Sequence, residues 1–285
     1  MKAVSAATRV AAVLGDPIEH SLSPTLHNAG YEAAGLDWVY TALRVPRSAA
    51  AAAFAGVRAL GLAGVNVTMP LKNDAFRLAD RSVGDVAVLE AANTVVNESG
   101  VLVAHNTDVE GFIRAAADLG VTLSGIRAVV VGAGGAARAV VAGLHRAGAE
   151  SVVVAGRRKS PTTAAAALAG GAGRPLPLAS ARAAKAVAAA SLVVNATPLG
   201  MNGDPLPDAV VGALGPGHAV VDLVYAPPVT PLMESARATG ARVGGGLGML
   251  VHQAGLAFTL FTGQPAPLEA MSAAVVADIS HRHTR

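Results

Sequence analysis

Val129-Val130-Val131-Gly132-Ala133-Gly134-Gly135-Ala136-Ala137 runs from an apolar, β-branched stretch through a glycine turn into helix-forming residues. It reads as strand, turn and helix start, and it matches G-x-G-x-x-A. Glycines there permit the tight bend and let backbone N–H groups approach a pyrophosphate at the helix N-terminus. In a chain with 32 glycines the pattern alone also fits a structural turn. Its surroundings favour the nucleotide: a strand at 128–131 precedes it, a helix over 135–147 follows, and a further strand comes at 152–155. At the end of that second strand a fold that reads NAD places an acid for the ribose 2′-hydroxyl. Here the residues are Ala155-Gly156-Arg157-Arg158-Lys159, with no acid and three cations. Arginine forks onto phosphate oxygens through charge-assisted hydrogen bonds, which points to NADP(H) rather than NAD. A solvated basic turn is the alternative.

The alternation of strand and helix patterns extends in both directions. Strands are expected at 10–14, 38–45 and 64–69, helices at 24–34 and 48–60, short helices at 72–79 and 83–90, and a hairpin of 93–97 with 101–105 around Glu98-Ser99-Gly100. After a helix at 109–119 and the glycine loop come strands at 192–195, 219–224 and 241–243, with a helix at 230–238. The Ala/Gly/Pro-rich segment 157–190 reads as weakly specified helix and loop. The pattern is α/β in two lobes. Junctions near Asp108 and Gly246 give a first lobe of 1–108 plus 247–285 and a second of 109–246. A plain C-terminal extension of the second lobe fits the same pattern.

Composition narrows the function classes. The chain has 285 residues, 52% hydrophobic and 14% charged, which excludes disorder and coiled coil. Net charge is +3, with one Trp, three Tyr and five Phe and no basic block interleaved with aromatics, so no nucleic-acid partner is expected. The absence of cysteine excludes a disulfide framework, a zinc ribbon and a thiol nucleophile, and suits a reducing, cytoplasmic setting. Residues 1–10 hold no signal-like apolar core. The uncharged stretch 243–268 is long enough to span a bilayer, but its glycines, His252, Gln253 and closing prolines mark a buried helix, and no membrane association is expected. His20, His27, His105 and His252 show no metal-ligand spacing, and His281 and His283 fall in an expected loose tail.

Asn66-Val67-Thr68-Met69-Pro70-Leu71-Lys72 places a lysine just beyond a strand. The chain holds four lysines against eighteen arginines, and ends of strands in α/β proteins are where side chains meet ligands. Lys72 is thus a candidate proton donor, carbonyl-reactive amine or anion binder, or else a solvated lysine at a helix start. Ser23-Pro24 fits an N-cap followed by proline in the first turn, which would account for Ser23 but not Ser21.

Taken with Gly15-Asp16-Pro17-Ile18-Glu19-His20-Ser21-Leu22-Ser23-Pro24, Ala92-Asn93-Thr94, Asn106-Thr107-Asp108, Asn195-Ala196-Thr197-Pro198, Asp222-Leu223-Val224-Tyr225 and Gly246-Leu247-Gly248-Met249-Leu250-Val251-His252-Gln253, these pieces make the whole chain resemble the shikimate dehydrogenase family. The resemblance implies a substrate lobe and a Rossmann-type NADP lobe around a cleft, with the last helices returning to the first lobe. It implies reversible reduction of 3-dehydroshikimate to shikimate with NADPH, in the chorismate route to aromatic amino acids. It places Ser21 and Ser23 on the substrate carboxylate with Tyr225 nearby, and Thr68, Lys72, Asn93, Asp108 and Gln253 around the ring hydroxyls and the reacting carbon. Gly132, Ala133, Gly134, Gly135 and Ala136 would hold the pyrophosphate, and Gly156, Arg157 and Arg158 the adenosine phosphate. Thr197 would also contact the cofactor, with Leu223 and Gly246 near the nicotinamide. Lys72 and Asp108 would be the acid/base pair. Where the family often carries Asn-Arg-Thr or Asn-Arg-Ser, this chain has Gly156-Arg157-Arg158, which loses one adenosine contact and adds a cation. The expected partner is the small-molecule substrate, in a monomer or homodimer. Quinate or an aminoshikimate as substrate, a ligand-sensing paralogue, and a methylene-tetrahydrofolate-type dehydrogenase are the rivals. Retention of Lys72 and Asp108 speaks against the sensor, and the serine pair against the last.

Overall fold

The structure, a computed structural model, describes residues 4–283, so the start of the 1–10 segment lies outside the described residues. The chain divides into two compact units, Met1–Thr107 with Val251–Arg285, and Asp108–Leu250.

In the first unit the order is β1 (Arg9–Gly15), α1 (Ser23–Ala33), β2 (Trp38–Arg44), α2 (Ala50–Ala59), β3 (Gly64–Val67), α3 (Lys72–Leu78), β4 (Arg81–Ser82), α4 (Val86–Leu89), β5 (Thr94–Glu98) and β6 (Val101–His105). The strands form one mixed sheet, β2-β1-β3-β5-β6-β4, parallel from β2 to β3 and antiparallel through the β5–β6 hairpin. Alternate residues feed opposite faces. Ala12, Leu14, Val65 and Val67 pack with Phe54 and Val57 of α2, Leu71 just before α3 and Val86 of α4. The opposite face is covered by the end of the chain. Phe261 packs against Gly64 of β3 so closely that a β-carbon there would lie 2.5 Å from its ring, and Phe258 and Met271 press on Gly30 of α1. A hydrogen bond of 2.9 Å from Thr25 to Asp278 ties α1 to the last helix.

The second unit begins with α5 (Asp108–Asp118), followed by β7 (Arg127–Val131), α6 (Gly135–Arg146), β8 (Ser151–Gly156), α7 (Lys159–Ala167), β9 (Gly173–Pro177), α8 (Ala181–Ala189), β10 (Leu192–Asn195), α9 (Asp208–Val211), β11 (Ala219–Asp222), α10 (Pro231–Ala238) and β12 (Arg242–Gly245). Its sheet is wholly parallel in the order β12-β11-β10-β7-β8-β9. Both faces are buried, as an all-parallel sheet requires. Val130, Val154 and Val194 join Phe112, Val140 and Leu144 on one side. Val129, Val193 and Val220 join Val187, Leu232 and Ala236 on the other. The chain returns to the first unit within α11 (Gly246–Thr262) and ends in α12 (Leu268–His283). Thus the C-terminal helices belong with the sheet of the first unit, and the expected loose tail is helical through His283. Among the described residues no helix is long and apolar enough to cross a membrane.

Candidate active site

In the first unit, Gly15 at the end of β1 lies beside Thr68, just beyond β3: a β-carbon on Gly15 would come within 2.4 Å of the Thr68 methyl. Backbone bonds of 2.9 Å from Thr68 N to Leu14 O and from Asp16 N to Met69 O tie the two strand ends. The 16–22 loop and the 68–72 turn therefore emerge together. Ser23 is the first residue of α1 and not its cap. Leu22 occupies the cap position with φ −89° and ψ −3°, already near helical, and no side chain caps the helix from there. The bond that forms is Ser21 Oγ accepting from the Ser23 N–H at 3.3 Å. Capping therefore does not account for Ser23, and it is Ser21 whose hydroxyl accepts from a first-turn N–H.

Lys72 opens α3 and is half-buried. A cation at a helix N-terminus opposes the macrodipole, a placement that local stability does not favour. Its carbonyl accepts from Ala92 N at 2.9 Å, which joins it to the residue before Asn93. Asn93 is 3% exposed and is a hydrogen-bond node. Its Oδ1 accepts from Thr107 N–H at 2.8 Å, and its Nδ2 donates to Thr107 Oγ1 at 2.9 Å and reaches Gln253 Oε1 of α11 at 3.4 Å. Thr107 is thereby fixed, and Asp108 follows it by one peptide bond. Asp108 is buried at the first position of α5, where a carboxylate is favoured by the helix dipole. Lys72, Asn93, Gln253 and the backbone leading into Asp108 thus share one framework, with Thr68 on the turn that leads to Lys72.

In the second unit the strand order reverses at β7, and its crevice lies at the strand C-termini. Gly132 follows β7 with φ +113°, and a β-carbon there would sit 2.9 Å from Ala196 O and 3.0 Å from the Thr197 methyl. Glycine is thus needed both for its backbone and for the approach of the loop after β10. Gly134 is the N-cap of α6, no side chain caps that helix, and nothing lies within 4 Å of its missing β-carbon. The first-turn N–H groups have no intrahelical acceptors by construction, so the backbone from Gly134 into the first turn of α6 presents donors suited to a pyrophosphate, whereas the Gly132 N–H is spent on Ala155 O at 2.9 Å. At the end of β8, Gly156 admits Thr162, whose hydroxyl would lie 2.1 Å from a β-carbon and donates to Arg158 O at 2.6 Å. Arg157, Arg158 and Lys159 are exposed at the start of α7, which has no acid in its first turn. Three cations on the positive end of a helix favour an anionic ligand.

The loop after β11 is shaped by Asp222, which is fully buried. It accepts from Asn195 Nδ2 at 2.9 Å, Val224 N–H at 3.0 Å and Thr230 Oγ1 at 2.6 Å. Burial pushes its carboxyl up, and these hydrogen bonds oppose that rise. This bracket fixes the backbone of Leu223 and Val224, which Tyr225 follows, and positions Thr197, whose hydroxyl donates to Asn195 Oδ1 at 2.7 Å. Gly246 lies against the same turn: a β-carbon would sit 2.2 Å from Leu223 O. Sequence reasoning misses the bracketing roles of Asn195, Asp222 and Thr230, and those of Asn66, Thr94 and Thr107 in the first unit. The signal it could have used is a polar residue at a strand end or inside an apolar strand, which must find a partner when buried.

A doubly wound parallel sheet with this glycine turn at its switch point defines the second unit as a dinucleotide-binding, Rossmann-type fold. Residues 13–95 match the model of the shikimate dehydrogenase substrate binding domain, and residues 246–276 that of the shikimate 5'-dehydrogenase C-terminal domain. The chain is 44% identical to a shikimate dehydrogenase (NADP(+)) of Moorella thermoacetica over 94% of its own length and 92% of the relative's. A crystal structure of Thermus thermophilus shikimate 5-dehydrogenase in complex with NADP(H) and shikimate aligns with TM-score 0.85 and 37% identity, over 95% of this chain and 99% of that one. Quinate dehydrogenase from Corynebacterium glutamicum in complex with NAD aligns with TM-score 0.85 and 32% identity, over 95% and 99%. The chain belongs to the shikimate dehydrogenase family.

Proposed function

We propose that this chain is an NADP-dependent shikimate dehydrogenase that interconverts 3-dehydroshikimate and shikimate. The observation that carries this reading is the Asn93 node, which bonds the side chain of Gln253 and the residue preceding Asp108, while the adjacent Ala92 N–H bonds the carbonyl of Lys72. When bound, NADP(H) supplies or takes up the hydride at the substrate's C3. The protein's part is to hold the ring and manage the proton. Lys72 Nζ gives a proton to the C3 oxygen during reduction and removes it during oxidation, while Asp108 orients the lysine and a neighbouring hydroxyl. Ser21 and Ser23 hold the carboxylate with Tyr225, and Thr68, Asn93 and Gln253 hold ring hydroxyls. Gly132, Ala133, Gly134, Gly135 and Ala136 would hold the pyrophosphate, Arg157 and Arg158 beside Gly156 would pair with the 2′-phosphate, and Thr197, Leu223 and Gly246 would line the remainder of the nucleotide.

A positioned acid is worth about 10²–10⁴-fold in rate. With shikimate and NADP+ saturating, Lys72→Ala should therefore lower kcat by about that factor, with the KM for NADP+ little changed. Near-normal turnover by Lys72→Ala would remove the lysine from the chemistry.

A further inference from the structure

A chain of hydrogen bonds lies buried behind Asn93, within the first unit, and its donors all point one way. Tyr40 of β2 donates its hydroxyl to Asn66 Oδ1 at 2.7 Å. Asn66 Nδ2 donates to Thr94 Oγ1 at 2.9 Å and to Asn93 O at 3.2 Å. Thr94 Oγ1 donates to Asn93 Oδ1 at 3.2 Å. Each of the four residues is buried, with Thr94 at 0% and Tyr40 at 2% exposure.

The direction follows from groups with only one possible role. The carbonyl of Asn93 can only accept, so the Asn66 amide nitrogen must face it and the Asn66 oxygen must face Tyr40. The N–H of Thr107 can only donate, so the Asn93 oxygen must face it. With its oxygen filled by Thr107 N–H and Thr94 O–H, Asn93 gives one amide hydrogen to Thr107 Oγ1 at 2.9 Å and turns the other to the side where Gln253 Oε1 lies, at the longer distance of 3.4 Å. Donors in series polarise one another and strengthen the last member. Burial holds the Tyr40 phenol protonated, with its pKa well above the ordinary value, so it stays a donor. Its ring stacks flat on His27, centroids 4.2 Å apart, so the hydroxyl can be removed without removing the ring packing.

We propose that Tyr40, Asn66 and Thr94 are positioning residues that lock Asn93 as a pure donor, which recognises an accepting ring oxygen of the substrate. This inference rests on the proposed dehydrogenase function. None of the three residues touches the substrate; they act through the orientation of one amide.

The test is steady-state kinetics of wild type, Tyr40→Phe, Thr94→Val and Thr94→Ser with shikimate and NADP+. One lost hydrogen bond at the far end should raise the shikimate KM about 5-fold in Tyr40→Phe, and the lost link to Asn93 about 10-fold or more in Thr94→Val. Thr94→Ser should return it to near the wild-type value, and the KM for NADP+ should stay within about 2-fold throughout, because the nucleotide groups lie outside this chain. Unchanged shikimate KM values, or parallel rises in both KM values, would overturn the inference. Should Thr94→Val fail to fold, Tyr40→Phe decides alone by the same criterion. A wild-type protein with no shikimate turnover would instead strike the functional reading, and this inference with it.

Discussion

His27 is a buried imidazole whose ring nitrogens have no partner in hydrogen-bond geometry among the described residues, although the Asn66 side chain acts on it against the effect of burial. It packs among Tyr31, Tyr40 and Phe261. Burial lowers its pKa from 6.5 to about 3, so the folded protein keeps it neutral while the unfolded chain protonates it. A base with a depressed folded pKa contributes stability that is fully present above 6.5 and is lost as pH falls toward 3. From about pH 7 to about pH 5 this one group should cost the protein about 2 kcal/mol. Denaturant midpoints of wild type and His27→Phe at those two pH values would show it: the wild type should lose about 2 kcal/mol more than the variant. Equal losses would mean that His27 titrates in the fold. At this scale Lys72 and Arg157 can be picked out from the sequence by type and position, whereas the Asn66–Thr94 contact cannot. Those two residues are separated by 28 positions and meet only because β3 pairs antiparallel with β5.

Among the elements, the most legible are those whose apolar pattern is set by burial on both faces, such as Arg127–Val131 and Leu192–Asn195. Gly173–Pro177 does not read as a strand because it holds two prolines and no β-branched residue. It forms at the edge of the sheet, where missing backbone donors are tolerated. Its Gly173 fits under α7 only for want of a β-carbon, which would come within 1.9 Å of Ala166 O. Glycines that serve packing and glycines that serve a ligand look alike in sequence, but substitution separates them. Gly246→Ala would drive a methyl into the Leu223 backbone and should cost about 2 kcal/mol or more. Gly134→Ala meets open space at φ −82°, and should change stability by less than about 0.5 kcal/mol while weakening NADP+ binding. Thermal unfolding with and without NADP+ reads both effects, and equal destabilisation by the two variants would contradict the assignment.

At the level of the whole molecule there are two units with separate cores: one carries the serine pair, Lys72 and the Asn93 node, the other the glycine turn and the basic run. That division is legible because the strand–helix alternation restarts after Asp108. The return of the last helices to the first unit is one of two options in the sequence, and the packing of Phe261 and Met271 on β3 and α1 decides it. A solved structure of the same fold is a quinate dehydrogenase in complex with NAD, so neither substrate nor cofactor follows from architecture. The most direct measurement is the kcat/KM for reduced-nicotinamide formation with shikimate, quinate and aminoshikimate, each with NADP+ and NAD+, for wild type and for Arg157→Ala combined with Arg158→Ala. Wild type should favour shikimate and NADP+, and loss of two charge-assisted contacts should cut the NADP+ preference by about 10–100-fold with little effect on NAD+ turnover. Faster turnover of quinate with NAD+, or a cofactor ratio untouched by the double substitution, would contradict the account.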